Sequence, residues 1–120
     1  MNLIQMVDQV KHHPDYPKVG MILCHNGVVR STSRDGRQVS GLRVTVDEKK
    51  LQQVIISHKK RSGIVEILVH IHADSDLMVG EDVMYIVVAG DIRENVIATL
   101  TDTLNAVKST VTHKTQYFIS

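Results

Sequence analysis

Residues 82–94 read Asp-Val-Met-Tyr-Ile-Val-Val-Ala-Gly-Asp-Ile-Arg-Glu, an apolar run followed directly by a helix-start signal. The run is rich in Val and Ile, which favour β-strands. Asp91 then stands at a cap position with Glu94 three residues on, and apolar residues recur at helical spacing from Val96 to Val107. The stretch therefore predicts a strand that leads into a helix, with Asp91 as the cap.

The rest of the chain shows the same two kinds of pattern. Residues 31–38 are rich in Ser, Thr, Asp and Gly and predict an exposed, mobile loop. The strands at 64–71 and 82–89 are expected to share a sheet. Because no repeat or linker interrupts the sequence, residues 1–120 are predicted to form one α+β domain with a mixed or antiparallel sheet and flanking helices. The other predicted elements are helices from Leu3 to Val10 and from Asp47 to near Ser62-Gly63, and strands from Val19 to Cys24 (continuing past a turn or bulge at Asn26-Gly27), Val39 to Val46 and Ile64 to Ile71. The tail from Thr110 to Ser120 is predicted to be a last strand or a docked extension.

Composition excludes several classes of protein. The chain has 120 residues, 42% of them apolar, which suits one core. Its 14 basic and 13 acidic side chains give a net charge of +1, so no global field favours nucleic acid or an anionic membrane. The apolar runs are strand-length, far short of the about 20 residues that span a bilayer, and the N-terminus does not read as a secretory signal. We therefore expect a cytoplasmic protein that binds any anion locally.

Histidine and cysteine give weak signals for chemistry. His70 and His72 lie two apart on a predicted strand and so share a face, but a zinc site needs three or four ligands and no ligand motif surrounds them. Ordinary strand or interface histidines are the favoured interpretation, and His25 is equally unconvincing as a metal ligand. The single cysteine, Cys24, fits a reducing compartment and a structural thiol better than a nucleophile. We expect no metal and no cofactor.

The remaining candidates for a binding site are cations. Taken singly, each is typical of a protein surface, and a lysine at a helix C-terminus also suits the helix dipole. The candidates are Arg30 after a strand, Arg34 and Arg37 in the predicted loop, Arg93 in the first turn of a helix, and Lys108 and Lys114 near and beyond its far end.

Together these positions resemble the spaced motifs of the molybdopterin synthase large, catalytic subunit family, over about four fifths of the chain. In that family a glycine-led strand ends in Gly-x-Val-Arg, as residues 20–30 do here. A strand ending in histidine, a Leu-x-x-Gly-Glu turn, an apolar strand and a helix-opening arginine follow, and two spaced lysines come last. The matching positions are His72, residues 77–81, residues 83–89, Arg93, Lys108 and Lys114.

The resemblance implies a fold like the alpha/beta-hammerhead of that family, and it implies sulfur transfer. A ubiquitin-like small subunit inserts a C-terminal thiocarboxylate, and its sulfur passes to cyclic pyranopterin monophosphate to form the molybdopterin dithiolene. By that resemblance Lys108 and Lys114 are catalytic, and Arg30, Arg93 and Arg37 bind the substrate. The arginines suit a phosphorylated pterin because a guanidinium binds phosphate through two hydrogen bonds. A homodimer, and a heterotetramer with the small subunit, are also implied.

Two other hypotheses stay open. Ala73 and Ile92 stand where the family has arginine and histidine, which favours a paralogue that binds partners without turnover. An unrelated α+β enzyme or small-molecule binder is disfavoured by the ungapped match from His72 to Arg93. The family hypothesis predicts that Arg30, Arg93 and the two lysines converge on one pocket, within a chain or across a dimer interface.

Overall fold

Across residues 1–119, the part of the chain that the computed structural model describes, six strands form two three-stranded sheets, with three helices beside them. Every strand pair is antiparallel. No helix in this range is long and apolar enough to cross a bilayer. The helices are α1 (Leu3–Lys11), α2 (Glu48–Lys59) and α3 (Arg93–Ala106), and the strands are β1 (Met21–Val28), β2 (Val39–Val46), β3 (Ile64–Ile71), β4 (Asp76–Met78), β5 (Asp82–Gly90) and β6 (Thr112–Phe118).

The first sheet has the order β1-β5-β3 and contains most of the core. Successive side chains of a strand point to opposite faces, and both faces of β5 are covered. Met84, Ile86 and Val88 pack in the cluster that includes residues of α2 and α3, whereas Val87 and Ala89 pack with α1. This burial on two sides explains why β5 is apolar along its whole length instead of alternating.

The second sheet has the order β4-β2-β6 and a smaller core. Leu42 and Val44 of β2 pack with Val29 and Leu77, and the alternate residues of β2 are exposed. Glycine is needed at position 41, where β4 pairs with β2, because the Cβ of any other residue at Gly41 would collide with the backbone carbonyl of Leu77. The half-buried β2 therefore has the alternating pattern that predicted it.

The predicted α+β class and the predicted main elements are confirmed, with two differences in the strands. The sequence predicted one sheet, and the chain forms two. The sequence also predicted only a connection at residues 74–80, whereas the structure has strand β4 within this segment. Three residues are too few for an alternating pattern, and the turns around β4 use positive φ at Asp74 (65°) and Gly80 (91°). The feature at Asn26-Gly27 is a bulge, since the β1–β5 register shifts between Gly27 and Val28.

The helix termini agree with the sequence in one case and differ in another. Asp47 caps α2 as predicted, accepting a hydrogen bond from the Lys50 N–H at 3.1 Å. The prediction of Asp91 as the cap of α3 is wrong, because the N-cap residue is Ile92 and no side chain caps it. The Asp91 carboxylate instead accepts hydrogen bonds from the Ile92 N–H (2.7 Å) and the Asn95 side-chain amide (2.9 Å). Asp91 thus fixes the entry to the helix from one residue upstream.

Candidate active site

A cleft of about 280 Å³ opens between the two sheets. Its apolar wall includes Leu42 and Val44 from β2 and Met84 from β5, and its polar wall carries Arg34, Lys108 and Lys114. An adjoining hollow shares those three cations and adds Arg30, Thr32 and Gln116. The cleft therefore joins one apolar surface, suited to a flat ring, with a group of cations.

Arg30 is held at the rim of the cleft by its surroundings. The preceding residue, Val29, is buried in the core of the second sheet, so the chain is fixed where β1 ends. The Arg30 Nε donates a hydrogen bond to the Thr32 carbonyl at 2.8 Å, which leaves the terminal nitrogens of the guanidinium for a ligand. Arg30 is thus held in position with its terminal nitrogens available, and its predicted role in binding an anion remains a prediction.

Lys108 lies in a π-helical turn, Val107–Val111, that widens the end of α3. Val107 and Val111 are buried in the main core and anchor the turn at both ends. The Thr110 hydroxyl donates to the Ala106 carbonyl at 2.7 Å, which satisfies one of the acceptors at the helix end. π turns are rare and are frequently found at functional sites, and this one places Lys108 in the wall of the cleft.

Lys114 reaches the same cleft from β6, where it pairs with Val44 of β2. Thr112 and Gln116, two residues away on either side, line the same two hollows, as expected for one face of a strand. Partial burial lowers the pKa of the Lys114 ammonium below its ordinary value, and the positive charges of Lys108, Arg34 and Arg30 lower it further. Lys114 therefore gives up its proton more easily than an ordinary surface lysine.

His25 is a cleft residue that the sequence did not single out as functional. Its ring lines the cleft from β1, and its Nε2 is buried without a hydrogen-bond partner among the described residues. Desolvation lowers the pKa of the imidazole, and the charge of Lys108 lowers it further. Its position in the sequence could have indicated it, because His25 shares a strand face with Gly27 in the segment that ends at Arg30.

Two of the predicted substrate-binding residues lie elsewhere in the single chain. Arg93 borders a separate surface hollow beside Ile92 and Ile97, and its Nε is 3.9 Å from the Glu94 carboxylate. The Arg37 guanidinium stacks over the Phe118 ring at 3.6 Å. The cleft of one chain thus gathers Arg30, Lys108 and Lys114 with Arg34, but neither Arg93 nor Arg37. The roles of all these residues remain predictions.

The His70 and His72 rings meet edge to face with centroids 4.9 Å apart, beside the Tyr85 ring. The His72 Nδ1 is 2.8 Å from the Asp82 carbonyl, and the Tyr85 hydroxyl donates to the Asp82 carboxylate at 2.6 Å. In residues 1–119, no group of three or more His, Cys, Asp or Glu side chains is placed to hold a metal ion. Packing within the sheet thus accounts for the positions of both histidines.

The charges in the cleft are not balanced locally. Within the described residues, the walls of the cleft and of the adjoining hollow include no carboxylate. Four cations that share one concave surface attract an anion, because their fields add there and no carboxylate among the described lining residues offsets them. The geometry therefore favours a ligand with an apolar ring and one or more negative charges.

The fold and this cleft define a class of small α+β protein with a cationic site between two sheets. The chain belongs to the MoaE protein family, whose model matches residues 2–110. This membership confirms the family resemblance of the motifs and the assignment to molybdenum cofactor biosynthesis. No curated protein sequence matches the chain.

Several solved structures have the same fold. The molybdopterin synthase of Staphylococcus aureus has a TM-score of 0.80 at 18% identity, covering 100% of this chain and 87% of that chain. Molybdopterin cofactor biosynthesis protein E of Burkholderia multivorans has a TM-score of 0.75 at 20% identity, covering 99% and 84%. A complex of subunits 1 and 2 of the molybdopterin-converting factor of Helicobacter pylori has a TM-score of 0.71 at 15% identity, covering 100% and 85%.

Proposed function

We propose that this chain is the large subunit of a cytoplasmic molybdopterin synthase. In this role it transfers sulfur from the C-terminal thiocarboxylate of a ubiquitin-like small subunit to cyclic pyranopterin monophosphate. The observation that carries the proposal is the convergence of Arg30, Arg34, Lys108 and Lys114 on a cleft whose described walls have no carboxylate. Membership of the MoaE family supports it.

The substrate fits the two kinds of wall. The pterin ring lies against the apolar surface of Leu42 and Val44, and the phosphate binds the arginines at the rim. Arg30 supplies a guanidinium fork that the Thr32 carbonyl holds in place. In this proposal Arg37 also binds the phosphate, after its guanidinium has moved away from the Phe118 ring.

The two lysines serve the sulfur donor. A thiocarboxylate is negatively charged, so the protonated amine of Lys108 attracts it into the cleft. Partial burial and the neighbouring cations lower the pKa of Lys114, and a lowered pKa makes an amine better able to exchange protons or to attack an acyl carbon. The likeness to the Helicobacter pylori fold, solved as a two-subunit complex, supports a small-subunit partner for this chain.

Arg93 joins the site in a homodimer. Its side chain is 79% exposed, and the neighbouring Ile92 and Ile97 are 53% and 47% exposed, so an arginine stands within an apolar surface. Such a surface suits contact with a second copy, because interface cores are more apolar than the rest of the surface and are enriched in arginine. Arg93 of one copy then binds the anionic substrate in the cleft of the other. Two small subunits complete a heterotetramer.

Reconstitution tests the function. The purified chain is mixed with a thiocarboxylated small subunit and the pyranopterin precursor, and molybdopterin is measured as its fluorescent oxidation product. We expect product, and none when the small subunit carries an ordinary carboxylate. No product under conditions in which an established large subunit works would reject sulfur transfer. Binding of the small subunit without product would instead select the interaction module that Ala73 and Ile92 favour.

A further inference from the structure

His25 points toward the cleft side of the first sheet. In the β1–β5 register it pairs with Ile86, whose side chain faces α2 and α3, whereas Cys24 pairs with Val87, which faces α1. Directly paired residues of two antiparallel strands lie on the same face of the sheet. His25 is therefore on the opposite side of the sheet from α1, and its ring forms part of the cleft wall.

The Nε2 of His25 is in an unusual state for a buried polar atom. It has no hydrogen-bond partner among residues 1–119, and a buried polar atom left unpaired costs about 1–3 kcal/mol. A catalytic role is one of the few reasons for a fold to keep such an atom. Gly27, the next residue on this face, keeps the approach open, because a Cβ there would lie 3.3 Å from Nε2.

The groups that surround His25 keep it uncharged. The charged groups that share its cleft are Lys108 from the π turn, Lys114 from β6 and Arg34 from the loop before β2. Desolvation and the charge of Lys108 both lower the imidazole pKa, so the ring is neutral at neutral pH. A neutral imidazole nitrogen beside several cations is able to accept a proton, whereas a protonated lysine is not.

Sulfur transfer requires a proton acceptor at one step. Once the sulfur has bonded to the pterin carbon, the bond between sulfur and the acyl carbon of the small subunit must break. Water supplies the replacement oxygen: a carbon–oxygen bond forms, one O–H bond breaks, and sulfur leaves with the electron pair of the carbon–sulfur bond. The products are a carboxylic acid, a thiolate and one proton, which must pass to a base.

We propose that His25 Nε2 is this base, and so a catalytic residue of the cleft. The inference rests on the proposed function, since it assigns an acceptor to a step of that reaction. Gly27 acts with it by keeping its own position free of a side chain that would crowd Nε2. Lys108 stabilises the negative charge that develops on the departing sulfur.

His25→Gln tests the inference, because glutamine keeps hydrogen-bonding capacity but does not titrate. We expect the single-turnover rate of sulfur transfer to fall about 100-fold or more, the range for loss of a general base. The wild-type rate should fall on acidification with a midpoint below pH 6.5, the ordinary histidine value, and the variant should lose that limb. His12→Gln is the matched control, since His12 follows α1 on the far side of the sheet.

Gly27→Ala is the second variant and tests the open approach. The added methyl group meets Nε2 but is 3.8 Å or more from the Met84 backbone, so the fold should tolerate it. We expect a rate about tenfold lower with the acidic limb kept, because the base is present but poorly reached. If thermal unfolding shows that His25→Gln does not fold, the rate of Gly27→Ala decides whether His25 acts as the base.

Two results would overturn the inference. A His25→Gln rate within twofold of the wild type, with the acidic limb unchanged, rejects His25 as the base while the proposed function stands. An unaltered rate in Gly27→Ala rejects the open approach and, where it is the deciding variant, the base as well. Absence of product from the wild type is distinguishable, because it rejects the proposed function itself.

Discussion

The two regions that carry the predicted cations are built differently. In the cleft and its adjoining hollow, four cations share walls with no carboxylate among the described residues, and partial burial together with the neighbouring positive charges lowers the pKa of Lys114. Around Arg93, a carboxylate of Glu94 is close by, and exposed Ile92 and Ile97 flank the arginine. Uncompensated charge in a concave wall is typical of a ligand site, whereas a compensated charge within apolar surface is typical of contact with another protein. The comparison supports the proposal that the surface around Arg93 contacts a second copy, whose cleft Arg93 then reaches.

Removing Lys114 should have the largest effect. Lys114→Ala takes away an amine with a lowered pKa, and we expect sulfur transfer to fall about 100-fold or more in single-turnover measurements. Lys49→Ala, an exposed lysine of α2, is the matched control and should keep the wild-type rate. Equal rates for the two variants would show that the cleft is not where the chemistry occurs.

Removing Arg30 should act on binding more than on turnover. Arg30→Ala deletes a charge-assisted contact worth about 1.5–3 kcal/mol, so KM for the pyranopterin should rise about tenfold or more with a smaller change in kcat. Arg61→Ala is the control, because Arg61 lies outside the cleft and forms an ion pair with Asp102 at 2.8 Å. A KM unchanged in Arg30→Ala would place the phosphate elsewhere.

The smallest expected effect is on stability. The folded protein holds the Lys114 proton less tightly than the unfolded chain, so the free energy of unfolding rises with pH between the folded pKa and 10.5. Lys114→Met should flatten that rise and increase Tm at neutral pH by about 1–3 °C, most clearly at low salt. A lower Tm for Lys114→Met, or the same pH dependence as the wild type, would mean that the folded chain does not lower the pKa of Lys114.

Much of the fold was predictable because its signals are local. The apolar run of β5 predicted a strand, and the residues after Asp47 predicted α2 with its cap. Features that depend on contacts between distant parts of the chain were not predictable. Three-residue β4 is made by pairing with β2, the division into two sheets follows from such pairings, and the π turn at Val107–Val111 is held by two buried valines.

The site was predictable only where a motif marks it. Arg30, Lys108 and Lys114 were found through their spacing, and the structure brings them to one cleft. His25 was missed because a histidine on a strand has no signal of its own, and its unpaired nitrogen exists only in the folded chain. Arg93 was predicted to share one pocket with the lysines, but within one chain it borders a separate hollow, and its place at the cleft of a second copy is part of the proposal.

Co-expression of two inactive variants tests the central claim, a site divided between the cleft of one copy and Arg93 of another. Arg93→Ala and Lys114→Ala are each expected to give almost no molybdopterin. In a random mixture half of the dimers are mixed, and each mixed dimer has one complete site of two, so about a quarter of the wild-type activity should return. Activity no higher than the mean of the two variants alone would contradict the divided site.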